Sequence, residues 1–165
     1  MEPNGYLPFQ TAPQAGDKLV LFPVYVYPVE ILERGLMTRP SYKYYVALVN
    51  GFNKKAELLE LQKIVPDENF DASGFECKRL ELKIDAQFAE TLAEYGAVPE
   101  DFRSWRQVVR SRKVSIRSEK MRLLWHVYIV RGAEIVDSYT GVSLPAAGMV
   151  DMLFSGEKGA DSENF

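Results

Sequence analysis

The sequence predicts an α+β fold: a mostly antiparallel sheet with a central helix pair packed on one face and a short terminal helix. Three observations carry that expectation. Residues 121–131 (MRLLWHVYIVR) place Met121, Leu123, Trp125, Val127 and Ile129 on one side and Arg122, Leu124, His126, Tyr128 and Val130 on the other. That alternation suits a long, partly buried strand. Strand-like runs recur earlier, at residues 18–27 and 42–49. Between these runs and the long one lie two helix-like segments, and such mixed runs make α+β domains.

Taken in order, residues 1–17 are rich in Pro, Gly and Gln and read as a mobile N-terminal arm. Tyr6, Leu7 and Phe9 are the residues able to pin it to a groove. Residues 18–27 are apolar on both faces, as in a strand covered on both sides. Pro23 cannot donate to a ladder, so an edge position or a bulge is expected there. Residues 28–35 carry Pro28 at the start, Glu30 and Glu33 near the positive end, and Gly35 as a stop, which predicts a short helix. Residues 42–49 alternate again and run into Asn50-Gly51, a hairpin signal. Residues 56–65 are made of helix formers, yet the preceding Asn-Gly asks for a returning strand, and the strand is preferred.

Residues 77–84 place Leu80, Leu82 and Ile84 on one side of a strand. Asp85 caps a helix that runs through Tyr95, with Phe88, Leu92 and Tyr95 inward and Gly96 ending it. A second helix opens at Pro99 and buries Phe102, Trp105 and Val109. A short strand at 114–117 precedes the long one. Gly132-Ala133 then turns the chain into a hairpin with residues 134–140. Residues 144–154 predict a short helix opened by Pro145. Residues 155–165 (SGEKGADSENF) are nearly free of apolar side chains and read as a disordered acidic tail. The organisation expected is an arm at 1–17, a single α+β domain at 18–154 and a tail at 155–165.

The net charge of -3 gives the whole molecule no general attraction for nucleic acid or anionic lipid. The longest apolar stretch, 19–29, is interrupted by Pro23 and Pro28 and falls short of the ~20 residues a spanning helix needs. Cys77 is the only cysteine, which fits a reducing compartment. The residues before Asp17 lack a basic start and an apolar stretch, so no signal peptide is read there. A cytoplasmic protein is expected, with no membrane partner.

The most uneven charge lies between residues 103 and 122. Arg103, Arg106, Arg110, Arg112, Lys113, Arg117, Lys120 and Arg122 stand there against Glu119 alone. Such a stripe docks on an acidic protein surface or tracks phosphates. Equally, a helix face turned to solvent must be polar in any case. A second interface is offered by Met149, Met152, Leu153 and Phe154, since methionine-rich faces adapt to partners. His126, the one histidine, can form a polar constellation with Arg122 and Tyr128.

Other chemistry finds less support. Asp67, Asn69 and Asp71 resemble the start of a calcium loop, but Ala72 stands where Gly is required and Lys78 where a bidentate Glu belongs. One histidine and one cysteine do not make a zinc site, so no metal and no cofactor is expected. Residues 141–145 lack the second glycine of a nucleophile elbow. The function expected is a small non-catalytic interaction module that binds another protein through the basic segment or the Met-rich helix. The alternatives are a nucleic-acid-associated protein using residues 103–122, and an enzyme with its site around His126.

Overall fold

The computed structural model describes residues 1–35, 39–96 and 110–145, apart from the side chains of residues 110–112. Of the described residues 47% are strand and 13% helical, and the sheet curls into a half-barrel. The expected α+β sheet with a central helix pair is therefore corrected to a sheet-rich fold with one α-helix among the described residues. The second expected helix, opened by Pro99, lies outside the described residues as far as Val109, while Arg110, expected on one face of it with Arg103 and Arg106, is strand instead; the terminal helix beyond Pro145 and the acidic tail lie outside the described residues.

The spine of the sheet is β1 (Lys18–Gly35), paired along both edges. On one edge it meets β4 (Glu76–Arg79), in parallel, at Lys18–Leu21, and then antiparallel β2 (Ser41–Asn50) from Val24 to Glu33. On the other edge it meets antiparallel β6 (Arg122–Arg131) from Lys18 to Val26 and antiparallel β5 (Arg110–Ile116) from Val29 to Gly35. Outside these, β3 (Ala56–Leu59) extends β2, β7 (Glu134–Asp137) extends β6, and β8 (Ser143–Pro145) extends β7, all antiparallel. The path through the sheet is β3-β2-β1-β6-β7-β8.

Two prolines sit inside the central strand, and the pairing explains both. A strand residue sends its N–H and C=O to the same side. Pro23 O accepts from Gly51 N at 2.7 Å, on the edge where β4 has ended at Leu21 and β2 begins at Val24. Pro28 O accepts from Arg117 N at 2.9 Å on the opposite edge, between the last partner of β6 and the first of β5. Each proline thus turns its missing N–H toward a gap between two neighbours, where no ladder bond is required. Pro23 needs neither a sheet edge nor a bulge in its own strand.

The short helix expected at 28–35 is strand instead. Val29 and Ile31 are buried, while Pro28, Glu30 and Leu32 between them are half-buried. Pairing on both edges outweighs the local capping signals, which are worth about 1 kcal/mol each.

Residues 50–55 close the β2–β3 turn without the two-residue hairpin geometry. Asn50 Oδ1 accepts from Phe52 N at 2.9 Å and Asn53 N at 3.0 Å, and the positive φ falls on Lys54, at +66°. The returning strand is present, but only as Ala56–Leu59. Residues 144–145, expected to start a helix, belong to β8. The strand expected at 77–84 is β4, which ends at Arg79.

Helix α1 (Ala86–Gly96) begins where Asp85 predicts, with Asp85 Oδ1 accepting from Phe88 N at 2.8 Å. Its inward face differs from the expectation: Ala89 and Ala93 are buried, whereas Phe88 and Tyr95 are exposed. The sheet beneath supplies the bulk. Tyr25 and Tyr27 lie under the helix and donate their hydroxyls to Ile84 O and Ala86 O, both at 2.7 Å. Large side chains on the sheet leave room for alanine at the centre of the contact, with Leu92 packed at its margin and half-buried.

Three apolar clusters result. One fills the curl of the sheet, around Phe22, Val24, Leu124 and Tyr128. A second lies between α1 and the Gly35 end of β1, and a third packs Leu19, Leu21, Val127 and Ile129 against Tyr6, Phe9, Phe70 and Phe75. The N-terminal segment joins this packing. Tyr6 N donates to Asp67 O and Leu7 N to Trp125 O, both at 2.9 Å, and Leu7 is 1% exposed. Tyr6, Leu7 and Phe9 are thus the residues that dock it.

Candidate functional site

The basic segment divides once its strands are placed. Arg103 and Arg106 lie outside the described residues. Arg110 and Arg112 lie on the backbone of β5, opposite Gly35 and Glu33. Lys113 and Lys120 are exposed. Arg117 reaches Glu119 at 2.9 Å and Glu30 at 3.6 Å, and Arg122 reaches Glu68 at 2.9 Å. Those two arginines are therefore neutralised within the chain. The Met-rich residues Met149, Met152, Leu153 and Phe154 lie outside the described residues.

Beside β5 the sheet leaves one face open. The register sets Tyr42, Leu32 and Lys113 in one row across β2, β1 and β5, and Tyr44, Glu30 and Ser115 in the next. Residues opposite one another share a face. Tyr42 is 61% exposed and Tyr44 46%. Arg34, exposed and opposite Ser111, adds a further cation at the end of β1. The opposite face of the same strands is covered by α1, so Val29 and Ile31 are buried while these tyrosines are not. Sequence reasoning misses this pair. The available signal is the alternation Tyr42–Lys43–Tyr44, which continues past the part of β2 that β3 protects.

His126 lies elsewhere, inside the curl. It faces Phe22 across the ladder, and its ring stands 4.5 Å from Tyr128 and 6.3 Å from Tyr139. Its partner is Asp137, with Nε2 to Oδ1 at 2.7 Å; side-chain exposures are 11% and 13%. An ionised carboxylate only accepts, so Nε2–H donates. Burial works against the Asp137 charge. The His126 hydrogen bond and the N–H groups of Tyr139 and Thr140 outweigh it and hold the carboxyl below its usual range. Tyr128 is pushed upward by burial, with Asp137 and the β3 residue Glu57 adding.

Of the expected constellation, Tyr128 does adjoin His126, but Arg122 is committed to Glu68. The partner that sequence reasoning misses is Asp137. The two-residue turn at 132–133 fixes the register, with Tyr128 opposite Asp137, which brings that carboxylate diagonally to His126. Asp137 Oδ1 also accepts from Tyr139 N at 2.9 Å, so the pair ties the turn after β7 to the middle of β6. That is a structural task.

The remaining candidates have local roles. Asp67 Oδ1 accepts from Asn69 N and Phe70 N, and Asp71 Oδ1 from Ser73 N, so both carboxylates organise turns. Cys77 is half-buried, and burial raises its thiol. Trp125, on the face expected to meet the core, is half-buried because it lines an open cleft of about 470 Å3 with Pro23, Arg79, Leu82 and residues 1–3. Among the described residues no helix is long and apolar enough to cross a membrane. Comparison of the chain with models of known families, with characterised proteins and with solved structures finds no match to any of them.

Proposed function

We propose that this protein is a small non-catalytic module that binds an acidic surface of another protein through the open end of its sheet. The observation that carries the reading is the face that exposes Tyr42, Tyr44 and Lys113 beside the basic strand β5. Exposed tyrosines supply large, rigid contact area, and aromatic residues with arginine are the usual anchors of protein interfaces. Cations such as the exposed Lys113 steer an acidic partner and fix its register. A reducing, cytoplasmic setting fits the single cysteine of the sequence.

Affinity purification of the intact chain from its native cell tests the reading. A protein partner should survive nuclease and be lost from a Tyr42→Ser, Tyr44→Ser, Lys113→Glu variant that still folds. Undiminished capture by that variant would move the interface elsewhere. The same tyrosines favour a second reading, single-stranded nucleic acid, because bases stack on exposed aromatic rings next to cations. Capture that disappears with nuclease, together with a steep loss of affinity as salt rises, selects it.

A further inference from the structure

Among the described residues β5 is bound to the sheet by one edge. It runs antiparallel to β1 from Ile116 opposite Val29 to Arg110 opposite Gly35. Arg117 N donates to Pro28 O at 2.9 Å, which sets the phase of the ladder. Ser111, Lys113 and Ser115 therefore send their backbone groups to β1, and Arg110, Arg112, Val114 and Ile116 send theirs to the far side. Among the described residues no strand pairs with that far side.

An unpaired edge is a template for another strand, and proteins guard such edges with charge. Here the guard is of one sign. The strand reads RSRKVSI, with three cations and no acid. A second copy of the chain brings the same cations against it and is repelled. An acidic strand brings the opposite sign to the same row of N–H and C=O groups, which no described strand pairs. The edge thus discriminates by charge between itself and a partner.

The geometry points to β5 as a docking edge on which an extended acidic segment of a partner protein is added to the sheet as a further strand. This rests on the reading of the open end as a protein-binding surface and names how the partner is held. Main-chain hydrogen bonds to Arg110, Arg112, Val114 and Ile116 supply affinity, and the alternating carboxylates of the partner supply selectivity.

A capped peptide of alternating Glu and Val, titrated into the full chain at low salt and followed by fluorescence anisotropy, is the probe. Two further peptides carry N-methyl groups on alternate residues, one in each phase. In strand addition, one phase removes the donors that face β5 and the other removes donors that face solvent. The expected result is a loss of about tenfold or more for one phase and near-parent affinity for the other. Val114→Pro removes an outward N–H and spares the ladder to β1; because Val114 packs on the cluster beneath α1, melting should fall, and at a temperature where the variant is folded it should bind the parent peptide about tenfold more weakly. Equal affinity of both methylated peptides overturns strand addition while leaving charge-driven protein binding in place. If no acidic peptide binds and an oligonucleotide does, the protein-binding reading itself fails. Because the methylated peptides act on unaltered protein, a Val114→Pro chain that does not fold leaves the inference open to refutation.

Discussion

The two halves of β1 differ in what covers them. Toward Lys18 both faces are packed, one by the curled interior and the other by the N-terminal segment and residues 70–77. From Leu21 to Tyr27 every residue is buried. Toward Gly35 the described residues pack one face only, through α1, and burial alternates: Val29 and Ile31 inside, Glu30 and Leu32 half out, Arg34 exposed. The closed half commits its side chains to the fold. The open half has a face to spare, and the exposed tyrosines and cations are found on it. The packed core and the proposed docking face thereby fall on different lengths of one strand.

The largest effect expected from that division is at Phe22. It is fully buried and meets Phe52 and Tyr128 edge to face, with centroids 5.9 and 5.2 Å away. Phe22→Ala should cost about 3–5 kcal/mol, a large share of the ~5–15 kcal/mol a small domain has. Urea unfolding measures it. A cost below about 1 kcal/mol would mean the curled interior is not the principal core. The one covered face of the open half should come next. Ala93→Leu drives a larger side chain toward Tyr25 and Tyr27 under α1, and overpacking should cost about 1–3 kcal/mol. An Ala93→Leu chain of unchanged stability would show that α1 has slack against the sheet and that the open half is looser than its burial suggests.

Acid should act through the closed half. Asp17 is held below its usual range by two hydrogen bonds from Arg131, at 3.0 and 2.8 Å, and by Gln14 N, while burial opposes. Asp137 is likewise lowered. A carboxyl lowered on folding stabilises fully above its ordinary value and loses that contribution as pH falls through its folded value. Stability is thus expected to hold from neutral pH down to about 4 and to decline below it. Asp137→Asn should flatten that decline and lower stability at neutral pH by about 1–2 kcal/mol. A variant with the parent's acid profile would remove the His126–Asp137 pair from the list of supports. Thermal melting across an acid series reads both.

Much of this division is legible in the amino-acid order of residues 18–35. The run 18–27 is apolar on both faces, whereas Glu30, Glu33 and Arg34 bring charge into 28–35, which is the difference between a covered and a half-covered strand. The helix signals of Pro28, Glu30, Glu33 and Gly35 obscure the second half, because capping preferences are local and two-sided pairing is not. Pro23 misleads for a similar reason: a proline is compatible with a central strand where the neighbour changes, and a change of neighbour has no local sequence mark. Periodicity turns Phe88 and Tyr95 inward, because it finds a stripe but cannot weigh the Tyr25 and Tyr27 rings beneath it. Of the candidate site, the basic excess is visible in the sequence and its shape is not. Pairing of Arg117 with Glu30, and of Arg122 with Glu68, depends on contacts distant in sequence.

The smallest stability effect should fall on the open face, and it sharpens the division most. Tyr42 and Tyr44 lie on β2 outside the stretch that β3 pairs, Val46–Val49, and their rings are largely in water. Removing an exposed side chain away from caps, networks and core usually changes stability by no more than about 0.5 kcal/mol. Tyr44→Ala is therefore expected to melt within a degree or two of the parent, where Phe22→Ala melts far below it. The same substitution should lower affinity for an acidic partner, since truncating an aromatic anchor at an interface costs about 2 kcal/mol or more. Paired measurements on one variant, melting and binding, separate the two tasks. If Tyr44→Ala destabilises the chain as strongly as a core truncation, that face is covered by the protein's own residues and is no docking surface. If it changes neither property, the tyrosine is only solvated and the interface must be sought along the edge of β5.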